Sequence, residues 1–226
     1  MIPIVVAQVE FLKLAVFLSG SGSNLQALID ASQDGALGAE VALVLSDRAD
    51  AFGLQRALRH RIPAAFVPLP RAASQAGAAR AETRAAWERR LLAVLNAFDY
   101  DLMLFSGFMR VLSAAFLEGC RAPAINQHPA LLPAAGGDTV TTSAGLVIPA
   151  LRGAHVVPDA LRLGLPVTGC TIHRVTPAVD DGPVLASAEV PILPGDDETS
   201  LHERIKTAER RLVVEVVAGL ARGSCN

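Results

Sequence analysis

Asn126 and His128 stand two residues apart in the stretch INQHPALLP, Ile125–Pro133. In an extended strand, residues i and i+2 project to the same side. The amide and the imidazole therefore form a polar pair on one face, with Gln127 on the other. A lone strand-end histidine is commonly a satisfied core group, so a third group decides whether the pair is a site. The stretch VDDGPVL supplies one: Asp180 and Asp181 fall in a turn before an apolar strand, where Gly182 and Pro183 fix the geometry. Amide, imidazole and carboxylate together suit acyl transfer. A carboxylate orients or charges the imidazole, the imidazolium gives up a proton, and the amide N–H holds a developing oxyanion. No Ser or Cys nucleophile has a partner in the sequence, so direct attack by a substrate amine is easier to support than a covalent intermediate.

A second candidate is SGSGSNLQ, Ser19–Gln26. Gly20 and Gly22 let the backbone approach a ligand, and a helix starting here offers free N–H groups to an anion. Ser23 and Asn24 add side-chain donors. A dinucleotide fingerprint needs a third glycine where Leu25 stands, although Asp47 lies at a tolerable spacing for a ribose contact. The lysine of a phosphate-binding P-loop is absent. A monophosphate is favoured over a dinucleotide, and a plain tight turn stays open.

The elements that must position these groups alternate short β-like runs with longer helical patterns. Strands are expected at Leu14–Gly20, at Glu40–Asp47, in AAFVPL, at Asp101–Gly107 and in AINQH. Helices are expected in SNLQALIDASQDG, around AFGLQRALRH and in ARAETRAAWERRLLAVLNAF, where Trp87, Leu91 and Leu95 share a face. Two later strands, TGCTIHRV and PVLASAEVPI, flank the DDGP turn, and a long helix closes the chain. RAASQAGAA and Ala135–Arg152 are expected to be loops. Continuous apolar strands with interleaved helices imply an α/β fold, with a mostly parallel central sheet covered by helices on both faces. In such sheets ligands collect at the carboxyl ends of the strands. SGSGSN, SGFMR and NQHP all sit at such ends, which raises His128 to a site candidate. No linker divides the chain, so residues 1–226 are expected to form a single domain.

Composition narrows the function classes. Of the 226 residues, 51% are apolar and 19% charged, which supplies a core and argues against disorder. The formal charge of −2, without a block of like charge, does not suggest a nucleic-acid groove or an anionic membrane surface. No apolar run reaches the length of a membrane span, and the opening MIPIVVAQVEFLK lacks the features of a signal peptide. Cys120, Cys170 and Cys225 are odd in number and far apart. No disulfide framework follows, and a reducing cytoplasm is the expected setting. Cys170 and His173 have the spacing of half a zinc site, but a second half is missing, so no metal is expected.

Taken together, LSGSGSNLQALID, SDRADAFGLQRA, SGFMRVLS, NQHPALLP, VTGCTIHRV and VDDGPVL resemble the glycinamide ribonucleotide (phosphoribosylglycinamide) formyltransferases of purine biosynthesis. The likeness runs in family order over nearly the whole chain after residue 13. It implies a Rossmann-like formyltransferase fold that moves a formyl group from 10-formyltetrahydrofolate to the amine of glycinamide ribonucleotide. It also implies small-molecule substrates, no metal, and neither nucleic acid nor membrane as partner, with a homodimer left open. By the same resemblance, Gly22, Ser23 and Asn24 form the phosphate-binding turn, and Glu209 holds the substrate. Asn126, His128 and Asp180 are the catalytic residues, the match selecting Asp180 over Asp181. Arg84, Met109, Arg110, Val111, Leu112 and Asn126 contact the folate.

Two departures stand out. Gln127 replaces a usual apolar residue and is expected to face away from the chemistry. The family passes in a few residues from LLP to the glycine corresponding to Gly153, whereas here residues 135–152 form an expected insertion, a mobile lid or a short added hairpin. Residues 1–13 are expected to be an N-terminal extension. The alternatives are another folate-dependent formyltransferase, a formyltetrahydrofolate hydrolase, or a nucleotide-binding module without chemistry. A methionyl-tRNA formyltransferase is expected to carry a further C-terminal domain and a basic surface. The hydrolase is expected to carry an N-terminal regulatory domain.

Overall fold

Strand β1, Leu12–Leu18, is buried on both faces, as its continuous apolar run requires of a central parallel strand. It pairs in parallel with β2 (Ala39–Ser46) on one side and β4 (Leu102–Ser106) on the other. The computed structural model describes residues 11–70, 78–134 and 136–223. In it, β3 (Ala64–Phe66), β5 (Ala124–His128), β8 (Val167–Arg174) and β9 (Val184–Pro191) complete a seven-stranded sheet in the order β3-β2-β1-β4-β5-β8-β9. The first five strands in that order run parallel, while β8 and β9 are antiparallel to their neighbours. The chain order turns back on itself between β1 and β4. Both leave the sheet at the same end, the place where a crevice opens in a doubly wound fold.

The two sheet faces carry separate cores. Leu14, Val16 and Leu18 pack with Leu25 and Leu28 of α1 (Ser23–Gln33), with Val156 and Val157 of α5 (Val156–Arg162), and with Leu201, Ile205, Val213 and Val217 of α6 (Glu198–Ala221). Ala15 and Phe17 pack on the other face with Trp87, Leu91 and Leu95 of α3 (Ala78–Asn96) and Phe116 of α4 (Ala114–Gly119). The expected face of α3 is thus the buried one, and Trp87 fixes it further by donating from Nε1 to the Val67 carbonyl at 2.9 Å. Helix α2 (Phe52–Arg59) buries Ala57 against the first core.

Several boundaries differ from expectation. Strand β1 begins at Leu12, so Leu12 and Lys13 belong to the sheet, and residues 1–10 lie outside the described part. The expected loop RAASQAGAA is described only from residue 78, where α3 starts. Strand β3 stops at Phe66, because Pro68 and Pro70 cannot donate to a ladder. Helices α4 and α5 had gone unread in the sequence. The segment expected to be a loop after Pro133 contains an antiparallel hairpin, β6 (Thr139–Thr141) and β7 (Val147–Pro149), with Val140 opposite Ile148.

Candidate active site

The chain leaves β1 through Gly22, which caps α1 with a left-handed backbone, φ 67°. A Cβ here would lie 2.6 Å from the Gly53 Cα, so glycine is required twice over. No side chain caps this helix start. The first-turn N–H groups, those of Ser23 and Asn24 included, therefore have no capping side chain to bind. Asn24 turns inward, where its Nδ2 lies 3.5 Å from Glu209 Oε2 and its buried Oδ1 has no hydrogen-bond partner. Burial pushes the Glu209 carboxyl up, with Asn24, Lys206, Arg210 and Gln127 partly opposing the shift. The structure thus joins Asn24, from the start of α1, to Glu209, 185 residues later on α6.

The loop after β4 is tied to the loop after β1. The Ser19 hydroxyl donates to Asp47 Oδ1 at 2.6 Å and accepts from the Met109 N–H at 3.0 Å, while Arg110 Nε binds Asp47 Oδ2 at 2.6 Å. Both Asp47 oxygens are therefore engaged within the protein, and the residue does not stand ready for a ribose. Met109 and Val111 are exposed and Leu112 is buried. This segment walls a cavity of about 290 Å³ whose lining also includes Asn126, His128, His173, Gly153 and Asp180. Arg84 is not in that lining. It sits on α3, 3.3 Å from Glu88, whose carboxylate in turn accepts from the Ser113 N–H and hydroxyl.

Asn126 and His128 leave the same face of β5, as the two-residue period requires. His128 is almost fully buried, with Nδ1 3.4 Å from Asp180 Oδ2 and Nε2 2.8 Å from the Leu151 carbonyl oxygen. A carbonyl only accepts, so Nε2 carries the proton in that contact. Burial pulls His128 below the ordinary imidazole value, although Asp180 and the Leu151 carbonyl push the other way. Asp180 is displaced upward by burial, but the flanking imidazoles, His173 foremost, and the Gly153 N–H outweigh that and leave it below its usual range. Asp181 points elsewhere, 3.5 Å from Arg152. The turn is possible because Gly182 passes against β8, where a Cβ would lie 1.8 Å from the Arg174 carbonyl oxygen.

His173 is the site residue that sequence reasoning missed. It lies directly opposite Asn126 in the β5·β8 ladder, with its Nδ1 2.9 Å from the Arg174 carbonyl and its Nε2 3.1 Å from Asn126 Nδ2. Through that Nε2 contact the ring helps to fix which way the Asn126 amide points, and the same ring nitrogen lies 3.6 Å from Asp180 Oδ1. The same Nδ2 lies 3.5 Å from Asp180 Oδ1. Cys170 packs instead into the core beneath α6, where burial pushes its thiol up to about 12, so the spacing with His173 is not half a metal site. Gln127 does face away from His128. It is nevertheless buried, its Oε1 accepting from the Ser106 hydroxyl at 3.1 Å while its Nε2 has no hydrogen-bond partner among the described residues.

These elements and this cluster define a formyl-transfer fold, and comparison with known proteins agrees. The formyl transferase family matches residues 12–217, and the chain belongs to that family. It is 40% identical over 209 residues to the phosphoribosylglycinamide formyltransferase of Mycobacterium tuberculosis, covering 92% of this chain and 85% of that one. It is also 40% identical over 214 residues to the trifunctional purine biosynthetic protein adenosine-3 of Drosophila melanogaster, of which it spans only 14%. The crystal structure of glycinamide ribonucleotide transformylase 1 from Symbiobacterium toebii superposes with a TM-score of 0.78 at 35% identity, covering 94% of this chain and 89% of that one.

Proposed function

We propose that this chain transfers the formyl group of 10-formyltetrahydrofolate to the amine of glycinamide ribonucleotide, in the cytoplasm, as a step of purine biosynthesis. The observation that carries the proposal is the buried contact of His128 with Asp180, set beside Asn126 in the wall of a cavity. A protein that only binds nucleotides has no need of a buried proton carrier. In this reading the substrate phosphate sits on the N–H groups at Gly22, Ser23 and Asn24, and Glu209 with Asn24 accepts and donates to its hydroxyls. The folate enters the cavity walled by Met109, Arg110, Val111 and Leu112. Arg84, outside that lining, meets only a part of the donor that extends beyond the cavity.

The amine nitrogen attacks the formyl carbon, giving a tetrahedral species with an anionic oxygen. The long Asn126 contact to Asp180 is the weaker of its two, so that N–H is the one free to turn to the oxyanion. His128, as an imidazolium supported by Asp180, gives its Nε2 proton to the folate nitrogen as the bond from that nitrogen to the formyl carbon breaks, and the proton lost by the attacking amine then replaces it on Nε2. His128 Nε2 must release the Leu151 carbonyl to reach the substrate, and the 3.4 Å His128–Asp180 contact is of the long kind that tightens in the complex.

The test follows loss of 10-formyltetrahydrofolate with and without glycinamide ribonucleotide. Loss that depends on the amine and yields its formylated product is expected. Equal loss with water alone would make the chain a hydrolase, and no loss with tight nucleotide binding would make it a non-catalytic module.

A further inference from the structure

Three consecutive residues after the hairpin grip both partners of the proposed proton relay. Leu151 places its carbonyl on His128 Nε2 at 2.8 Å, and Gly153 donates its N–H to Asp180 Oδ2 at 2.9 Å. Between them, Arg152 donates from Nε to the Asp180 carbonyl at 3.2 Å. Its NH2 group reaches the Gly137 carbonyl at 2.6 Å and Asp181 Oδ1 at 3.5 Å. Gly137 lies on the other side of the hairpin, whose stem closes where Ala150 N–H meets the Asp138 carbonyl at 2.9 Å. The guanidinium thus spans both ends of the hairpin and the turn that carries the carboxylate.

That turn needs holding. Asp180 has a left-handed backbone, φ 50°, which a residue with a side chain keeps only when its surroundings determine it. Asp tolerates this conformation better than most, yet a carboxylate that must face an imidazole has little room to relax. The Arg152–Asp138 contact, 3.6 Å at a fully exposed carboxylate, adds little. The contacts that matter are those to the carbonyls, and they use the fixed fork of a guanidinium, which a single ammonium cannot reproduce.

We propose that Arg152 is a positioning residue, which pins the base of the β6–β7 hairpin to the Asp180 turn and so sets the geometry of the Asp180 carboxylate at His128. The inference rests on the assignment of His128 and Asp180 as the proton relay. It gives the hairpin a chemical role beside the cavity. Arg152 itself touches no reacting atom.

The test compares Arg152→Ala and Arg152→Lys in wild-type and Asp180→Asn backgrounds, with His128→Ala alongside and thermal unfolding to check folding. Arg152→Ala should lower kcat by roughly ten- to a hundredfold, the scale of a small misplacement of a catalytic group, with KM little changed. Arg152→Lys, which keeps charge but loses the fork, should also fall, and it carries the test if the alanine variant does not fold. In the Asp180→Asn background neither change should reduce the residual rate further, because Arg152 acts through Asp180. Wild-type kcat in both Arg152 variants while His128→Ala is inactive would overturn the positioning role alone. So would an equal loss in both backgrounds. An active His128→Ala would overturn the relay on which the inference stands.

Discussion

The pairing of His128 with Asp180 rather than Asp181 is a matter of one residue. The turn lets only the first aspartate reach the imidazole, at 3.4 Å, while its neighbour faces Arg152 and is half exposed. Asp180→Asn removes the charge that supports the imidazolium and should lower kcat by on the order of a hundredfold or more. Asp181→Asn should change it little. Steady-state rates of the two purified variants decide, and the reverse ranking would reassign the carboxylate. Asn126 and His128 were legible as a polar pair at period two and the Asp-Asp-Gly-Pro turn as the source of a carboxylate, but only the family resemblance pointed to Asp180 over Asp181. His173 was not. Its role depends on lying opposite Asn126 across an antiparallel ladder, and the long stretch between the two strands hides that register.

At the scale of elements, helices α1 and α6 carry the groups proposed to hold the substrate phosphate and hydroxyls. Gly22→Ala should destabilise the protein by at least about 1–3 kcal/mol, the scale of a strained backbone, because the new Cβ also meets Gly53. Denaturant unfolding measures that loss, and an unchanged midpoint would mean that the β1–α1 turn can shift. Glu209 on α6 makes a pH-dependent prediction. Burial raises its carboxyl, so the folded state holds a proton that the unfolded chain has already released. Stability attributable to Glu209 is therefore lost as pH rises from about 4.5 through the raised value. Glu209→Gln should show no advantage in Tm at low pH and a growing one toward neutrality, while its affinity for glycinamide ribonucleotide falls. A Tm difference that is flat with pH would contradict this. The long helices were readable from their periodic apolar faces. Helices α4 and α5, of six and seven residues, are too short for a period to show and are held by their packing. The hairpin β6–β7 was anticipated only as one of two forms for an apolar stretch among glycines.

Across the whole molecule, the sheet brings together groups far apart in the chain. The β1 and β4 ends meet through Ser19, Asp47 and Arg110, and β5 meets the turn between β8 and β9 through His128 and Asp180. The mostly parallel order was legible because buried strands alternated with helices. The antiparallel placement of β8 and β9 was not, since apolar runs carry no direction. That placement sets Asp180 beside β5, so the proposed chemistry depends on the half of the sheet that departs from the parallel pattern. The most direct measurement of this chemistry is the single-turnover rate of formyl transfer by His128→Ala, with both substrates bound to saturation and folding verified. A fall of at least about a hundredfold, with substrate binding retained, is expected of a group that moves the proton. Formyl transfer at the wild-type rate would mean that the proton travels by another route and that His128 is only a buried strand-end histidine.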